Sequence, residues 1–169
     1  TIQDLKHACS FEGHLGCVQD LGWLQVDNIL YLISVSMDRT TRIWNMRTKQ
    51  NDFIFSDHNE DINCVDISHD MAYIFTAADD SSINVYKTWT WNLETILKPH
   101  LGPIYSVSAS LDGIIATSSM DGTVSLYSKD DWRLIKTLMF RENIIKKVEW
   151  SPFGELLAVC VFGQVYVIS

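Results

Sequence analysis

The stretch "SVSMDRTTRIWN", residues 34–45, has a close counterpart later in the chain, "SSMDGTVSLYS" at residues 118–128. Each places Met and Asp before a polar turn and then alternates residue types up to an aromatic side chain. A histidine precedes both stretches, His14 in the first case and His100 in the second. Ser, His and Asp are also the residue types of a hydrolase triad. The pattern therefore indicates either a duplicated catalytic set or a structural feature that a repeated fold requires.

The spacing of the aspartates defines an internal repeat. An Asp followed six residues later by an aromatic residue occurs three times, as Asp38 with Trp44, Asp80 with Tyr86 and Asp121 with Tyr127. Phe162 and Ile168 keep the same spacing in a fourth copy, and the first members are 42, 41 and 41 residues apart. Such a period is the mark of a repeat architecture.

Two further residue types recur in step with the aspartates. Four residues before each Asp stands a hydroxyl residue, and these are Ser34, Thr76 and Thr117. Earlier in each copy stands a histidine, and these are His14, His58 and His100. A catalytic triad converges once, on one cleft, so a set that occurs three times favours the structural interpretation.

Each repeat is predicted to contain four short strands. Runs rich in Val, Ile, Tyr and Thr alternate with Asp-Gly, Asp-Ser and Ser-Pro turn signals, and no segment has a sustained helical period. A four-stranded unit of about 40–45 residues is one blade of a β-propeller. The sequence therefore predicts an all-β protein of about four blades.

At these residues the chain resembles the WD-repeat family. The family's "GH" is matched by Gly13–His14 and its "WD" by Trp44–Asn45, whereas the later copies read "DH" and "PH" and carry Tyr86 and Tyr127 in place of tryptophan. The fourth copy has neither the His nor the Asp. The resemblance implies a β-propeller of WD-repeat type, with about four blades of four antiparallel strands, as part of a larger ring of seven blades.

The expected domain is a single WD-repeat propeller domain or fragment spanning residues 1–169. Its predicted parts are a strand at 1–12 that completes a neighbouring blade, repeats at 13–50, 51–96 and 97–138, and a partial repeat at 139–169. Two closures of the ring stay open at this point. The first segment supplies the missing strand of the fourth blade, or further blades come from a longer chain or a second copy.

The resemblance also implies that the recurring polar residues form hydrogen-bonded sets inside the blades. The sets are His14 with Ser34, Asp38 and Trp44, then His58 with Thr76 and Asp80, then His100 with Thr117 and Asp121. A buried carboxylate is costly unless it is hydrogen-bonded, which gives such a set its physical reason. The sequence has no G-x-S-x-G nucleophile motif. We therefore expect no catalytic residues.

Partner-binding residues are inferred from the same resemblance, since the family commonly binds peptides on the face that bears these turns. Carried onto this sequence, the contact positions are Met37, Asp79, Met120, Gln19, Asn63, Tyr105, Asp61 and Lys146. Met and Tyr are favoured at interfaces. Met37, Tyr105 and Met120 are the expected hot spot.

Composition narrows the range of functions. The 169 residues are 47% hydrophobic and carry a net charge of −8, which disfavours nucleic-acid binding beyond local contacts such as one by "RENIIKK". No apolar run reaches the roughly 20 residues of a membrane span, and no secretory signal or metal-ligand spacing is visible. Four scattered cysteines are typical of an intracellular protein, in the cytoplasm or nucleus.

These observations predict a non-enzymatic protein–protein interaction scaffold that assembles an intracellular complex, with no cofactor and no membrane contact. Its partners would be other proteins or peptides bound on a propeller face. Two alternatives remain, a structural subunit of a ribonucleoprotein machine and the recognition module of a longer enzyme.

Overall fold

The computed structural model describes residues 9–98, 100–140 and 144–169. These residues form fifteen β-strands in four antiparallel sheets, with no helix among them. Three sheets contain four strands and the last contains three. The predicted all-β fold of four-stranded units is confirmed, and the sheets are called blades 1 to 4 below.

The strands follow the chain without crossovers, so each blade is one meander. Blade 1 consists of β1 (Val18–Val26), β2 (Ile29–Ser36), β3 (Thr41–Asn45) and β4 (Gln50–Phe55). Blade 2 consists of β5 (Ile62–Ile67), β6 (Tyr73–Ala78), β7 (Ile83–Lys87) and β8 (Asn92–Leu97). Blade 3 consists of β9 (Ile104–Ala109), β10 (Ile114–Ser119), β11 (Thr123–Ser128) and β12 (Leu134–Met139). Blade 4 consists of β13 (Ile145–Trp150), β14 (Leu157–Val161) and β15 (Gln164–Ile168).

The turn after each repeating Asp requires a left-handed backbone. The residue that follows the Asp has φ of +66° at Arg39, +63° at Ser81 and +82° at Gly122. Only glycine adopts this region without steric cost. The turn is therefore unstrained in blade 3, whereas in blades 1 and 2 the surrounding hydrogen bonds must hold a non-glycine residue there.

Recurring tryptophans join consecutive blades. Trp91 of blade 2 stacks on Phe53 of blade 1 at a centroid distance of 4.7 Å and meets Tyr31 edge-on at 5.2 Å. Trp132 of blade 3 meets Tyr73 of blade 2 edge-on at 5.0 Å, as Trp91 meets Tyr31. Such aromatic pairs add stability beyond their buried area. The 41-residue recurrence of Trp91 and Trp132 thus reflects a repeated contact between blades.

The first strand of every blade faces a common central cavity. Residues of β1, β5, β9 and β13 line this cavity, whose volume is about 510 Å³. Side-chain oxygens on three of these strands accept backbone N–H groups from the next blade. The bonds are Val65 N to Asp20 (3.1 Å), Ala109 N to Asp66 (2.7 Å) and Trp150 N to Ser108 (3.1 Å). The blades are therefore arranged in sequence order around one axis.

The N-terminal prediction falls mostly outside the described residues. Of the strand expected at 1–12, only residues 9–12 are described, and they are not in a strand. Phe11 lies in this segment, with its ring 5.1 Å from that of Trp44. The segment thus covers the aromatic end of β3.

All four cysteines are free thiols. Cys64 is buried and Cys17 is exposed. No disulfide therefore stabilises the described fold. None of the described residues belongs to a helix long and apolar enough to cross a membrane.

Candidate functional site

The first recurring set forms a continuous chain of hydrogen bonds. His14 Nδ1 lies 2.8 Å from Asp38 Oδ2, and His14 Nε2 lies 2.7 Å from the hydroxyl of Ser34. The indole N–H of Trp44 donates to the same hydroxyl at 2.8 Å. Because the carboxylate only accepts, the imidazole carries its proton on Nδ1, and the Ser34 hydroxyl donates to Nε2.

Blades 2 and 3 repeat this geometry with threonine in place of serine. His58 lies 3.0 Å from Asp80 and 2.9 Å from the hydroxyl of Thr76. In blade 3 the corresponding distances, from His100 to Asp121 and to Thr117, are 3.2 Å and 2.9 Å. The structure thus brings together the three His–Asp–hydroxyl groups that the sequence placed in three repeats.

The tyrosines at the tryptophan position behave differently from Trp44. The Tyr86 hydroxyl donates to Asp57 at 3.1 Å and accepts from the Asn84 amide at 3.3 Å. The Tyr127 side chain is buried, and its hydroxyl has no hydrogen-bond partner among the described residues. The chain of bonds that ends in an indole in blade 1 is therefore not reproduced in the same form in blades 2 and 3.

A second hydroxyl in each set was not anticipated. Two residues after each Asp, a side-chain hydroxyl donates to the Asp Oδ1, and these residues are Thr40 (2.6 Å), Ser82 (2.5 Å) and Thr123 (2.6 Å). The backbone N–H of the residue after each His also donates to the Asp Oδ2, and these residues are Leu15, Asn59 and Leu101. The recurrence of Thr or Ser at this spacing was visible in the sequence.

These hydrogen bonds fix the charge of the carboxylates. Burial alone would raise the pKa of Asp38, but donation by Thr40, Leu15 and His14 outweighs it and lowers this pKa well below the usual range. The pKa values of Asp80 and Asp121 are lowered for the same reasons. For His100, burial lowers the pKa and outweighs the nearby charge of Asp121, which would raise it.

The three sets are placed for structure rather than for chemistry on a substrate. Ser34, Thr76 and Thr117 are buried, so no substrate reaches their hydroxyls without unfolding of the blade. A nucleophile must meet its substrate within a cleft that also offers oxyanion donors. No group of three or more His, Cys, Asp or Glu among the described residues could hold a metal ion.

The predicted partner-binding residues lie at one end of the blades. Backbone N–H groups of the turn before each Asp donate to the segment that begins the first strand, Met37 N to Cys17 O (3.0 Å), Asp79 N to Asp61 O (2.9 Å) and Met120 N to Pro103 O (2.9 Å). In three blades these bonds hold the residue before the Asp next to the start of the first strand. We call this surface the upper face, defined by Gln19, Met37, Asp61, Asn63, Asp79, Tyr105, Met120 and Lys146.

Within the upper face, side chains from neighbouring blades meet. The Lys146 ammonium of blade 4 lies 3.7 Å from the centroid of the Tyr105 ring, and the Tyr105 hydroxyl lies 3.6 Å from the Met120 sulfur. In blade 2 the Asn63 amide donates to Asp79 at 2.7 Å and to the carbonyl of Ile104 at 2.9 Å. Met37 and Met120 are 44% and 46% exposed. On blade 1, Gln19 and Met37 each present an exposed side chain to the upper face.

Comparison with protein families gives an independent result. The family model described as "WD domain, G-beta repeat" matches residues 5–45, 49–87 and 91–128. Three successive matches across most of the chain confirm the resemblance inferred from the His, hydroxyl, Asp and aromatic positions.

Several curated relatives are similar to this chain over much of its length. The p21-activated protein kinase-interacting protein 1-like of Gallus gallus is 29% identical over 82% of the chain and 37% of the relative. The probable coatomer subunit beta' of Schizosaccharomyces pombe is 29% identical over 81% and 18%. Protein HIR1 of Cryptococcus neoformans var. neoformans is 28% identical over 89% and 18%. The chain therefore spans well under half the length of these relatives.

Solved structures show the same architecture. The structure of U3-55K aligns with a TM-score of 0.85 over 93% of this chain and 50% of its own, at 14% sequence identity. At that identity the likeness concerns the fold. The four blades correspond to half of that chain.

Proposed function

This chain belongs to the WD-repeat family, and from that membership we propose that it is a non-enzymatic scaffold. WD-repeat domains are in general modules of protein interaction, and relatives include a coatomer subunit and Protein HIR1. The finer proposal is that partner proteins or peptides bind the upper face, within an intracellular complex. Relatives such as the probable cytosolic Fe-S cluster assembly factor of Schizosaccharomyces japonicus support an intracellular setting.

The observation that carries this proposal is the Tyr105–Met120–Lys146 cluster. Tyr105 has a rigid side chain and Met120 an adaptable one, and both present apolar surface to a partner, as hot-spot residues do. The Lys146 ammonium already lies over the Tyr105 ring, so its position is fixed before a partner arrives. A pre-positioned side chain costs less conformational entropy on binding.

The charges on the upper face indicate how a partner would be oriented. Lys146 stands on blade 4, whereas Asp61 and Asp79 stand on blade 2. Complementary charges at the two sides of a surface select orientation and increase the association rate. We infer that the preferred partner segment carries an acidic residue near Lys146 and a basic residue near the two aspartates.

The buried sets support the non-enzymatic part of the proposal. Every Ser, Thr, His and Asp that resembled a triad is engaged inside a blade and shielded from solvent or nearly so. Their role in the proposal is to hold the turns that present the upper face. The two alternatives, a ribonucleoprotein subunit and a module of a longer enzyme, have no specific contact in their favour.

The proposal is tested with peptides selected from a random library against the wild-type chain. The selected peptide is titrated against Met120→Ala and Tyr105→Ala, with Met71→Ala as the matched control on an exposed methionine of the β5–β6 turn. We expect about tenfold weaker binding for each upper-face variant, the loss typical of a hot-spot residue. Equal affinity for all variants would place the binding surface elsewhere.

A further inference from the structure

Blade 2 departs from the repeat at two turns, where it carries large apolar side chains. Turns alternate between the two ends of a meander, so the β5–β6 and β7–β8 turns lie at the end opposite the upper face. Met71 lies in the first of these turns, Trp89 lies in the second, and Tyr73 begins β6. We call these three residues the lower patch. Blades 1 and 3 both bond to blade 2, so the patch is not the open side of an incomplete interface.

Met71 occupies a position that glycine fills in the next two blades. The Met71 N–H donates to the carbonyl three residues earlier, and the N–H groups of Gly113 and Gly154 do the same in blades 3 and 4. All three residues have a left-handed backbone, with φ of +60°, +80° and +77°. A side chain is strained in this conformation, and residues that keep such strain cluster at functional sites. Because Met71 is 41% exposed, packing inside the blade does not account for it.

Trp89 replaces residues of a different kind. The backbone N–H of Trp91 donates to the carbonyl four residues earlier, as happens at the same point of the turns in blades 1 and 3. Two residues before this donor, blade 1 has Arg47 and blade 3 has Asp130, whereas blade 2 has Trp89. Trp91 packs on blade 1, but Trp89 is 55% exposed. An exposed tryptophan at a position where the other blades are charged indicates a contact with a partner.

The three residues form one continuous surface. The Thr88 hydroxyl donates to the Met71 carbonyl at 2.8 Å and so joins the two turns. The Tyr73 ring meets the Trp89 ring edge-on, with the centroids 5.5 Å apart. The Tyr73 hydroxyl and the Trp89 indole N–H have no hydrogen-bond partner among the described residues. The lower patch therefore offers two donors beside apolar ring surface.

The charged side chains that border the lower patch are already paired. Lys87 forms an ion pair with Glu94, and its ammonium lies 5.8 Å from the centroid of the Trp89 ring. Asp70 forms an ion pair with Lys129 of blade 3. A charged partner would have to compete with these pairs, and the net charge of −8 disfavours the stacking of nucleic-acid bases here. The surface fits a partner that is apolar, uncharged and rich in hydrogen-bond acceptors.

We propose that the lower patch is a second docking surface, which binds a proline-rich segment of a partner protein. A polyproline II helix has no internal hydrogen bonds, so its carbonyl groups can accept from the Tyr73 hydroxyl and the Trp89 indole N–H. Its proline rings pack against aromatic side chains, and its preformed conformation loses little entropy on binding. Met71 supplies adaptable apolar surface beside the rings. The upper face and the lower patch thus bind different partners at opposite ends of the blades.

The test is an NMR titration of the ¹⁵N-labelled chain with a ten-residue polyproline peptide. We expect saturable shifts of the Trp89 indole N–H and of the amides of Met71 and Tyr73. A Gly-Ser peptide of the same length, which has no preformed helix, should cause no shifts. Trp89→Ala should weaken binding of the polyproline peptide about tenfold, whereas Met120→Ala on the upper face should leave it unchanged.

Met71→Gly separates a role in binding from a role in stability. Glycine takes the left-handed backbone without strain, so this variant should melt at or above the wild-type temperature. It should still bind the polyproline peptide about fivefold more weakly, because the apolar side chain is lost. The absence of saturable shifts at Trp89 overturns the proposal, and so do shifts that centre on Tyr105 and Met120. A Trp89→Ala variant that binds as tightly as the wild type overturns it as well.

Discussion

The hydroxyl of Thr76 lies 2.9 Å from Nε2 of His58, inside blade 2 and shielded from solvent. The other ring nitrogen of His58 faces Asp80 at 3.0 Å. This is the order of a hydrolase triad, and it occurs three times without access for a substrate. The residues that attract attention in the sequence therefore stabilise the blades, and their removal should change stability.

Thr76→Val removes the hydroxyl at nearly constant shape and leaves Nε2 of His58 buried without a donor. We expect a loss of about 1–3 kcal/mol in the free energy of unfolding, the cost of an unsatisfied buried polar group. Urea denaturation followed by tryptophan fluorescence measures it. Thr137→Val, at an exposed position of β12, is the matched control and should change stability by less than about 0.5 kcal/mol.

Asp80→Asn tests the charge of the second set. Asp80 accepts from Asn59, Ser82 and His58, and a hydrogen bond to a charged group makes a net contribution of about 1.5–3 kcal/mol to stability. We expect this variant to unfold at a lower urea concentration than Asp130→Asn, which alters an exposed carboxylate. Equal midpoints for the two variants would contradict a stabilising role for the Asp80 charge.

Stability should fall as the solution is acidified. The pKa values of Asp38, Asp80 and Asp121 are lowered in the folded chain, so their contribution is complete above the unfolded pKa of about 3.9 and is lost as the pH falls below it. The lowered pKa of His100 adds a loss that begins below about pH 6.5, where the unfolded histidine binds a proton.

One buried carboxylate opposes this trend. Burial raises the pKa of Asp66, so protonation of that group on acidification relieves a cost instead of adding one. Because the lowered carboxyl pKa values, which include that of Asp70 beside Lys129, outnumber the one that is raised, we expect the net change to be a loss of stability. Urea midpoints measured from neutral pH to about pH 2 check the sign, because the carboxylate contributions are lost only below about pH 3.9. A higher midpoint at about pH 2 than at neutral pH would contradict it.

Trp91→Ala should weaken the contact between blades 1 and 2. The substitution removes the ring that stacks on Phe53 and meets Tyr31, and a tryptophan truncated in a packed interface costs about 3–5 kcal/mol. Trp89→Ala, which truncates an exposed indole two residues earlier, is the control. Thermal melts of both variants decide the comparison. Similar losses for the two would show that the stacking across the interface contributes little.

Much of the fold was predictable because the repeating residues mark its turns and strands. Asp38, Asp80 and Asp121, with their preceding histidines, located the turns β2–β3, β6–β7 and β10–β11 and the four strands around each. The hydrogen bond from Tyr86 to Asp57 was not predictable, because Asp57 lies outside the repeating positions. Only the folded blade brings its carboxylate within 3.1 Å of the Tyr86 hydroxyl. The roles of Thr40, Ser82 and Thr123 were missed although their spacing recurs.

The contacts within the upper face were not predictable from the sequence. The resemblance supplied its eight residues, but nothing in the spacing indicated that Lys146 of blade 4 would lie over Tyr105 of blade 3. That contact depends on the angle between two blades, which local sequence does not encode. The same holds for Asn63, whose amide reaches the carbonyl of Ile104 in the next blade.

Chemical-shift mapping of a library-selected peptide on the ¹⁵N-labelled chain tests most directly whether partners bind the upper face. We expect the largest shifts at Asn63, Tyr105, Met120 and Lys146, while the amides beside Ser34, Thr76 and Thr117 stay unchanged. Shifts concentrated around those buried hydroxyls, or at Trp89 and Met71 away from the upper face, would contradict it.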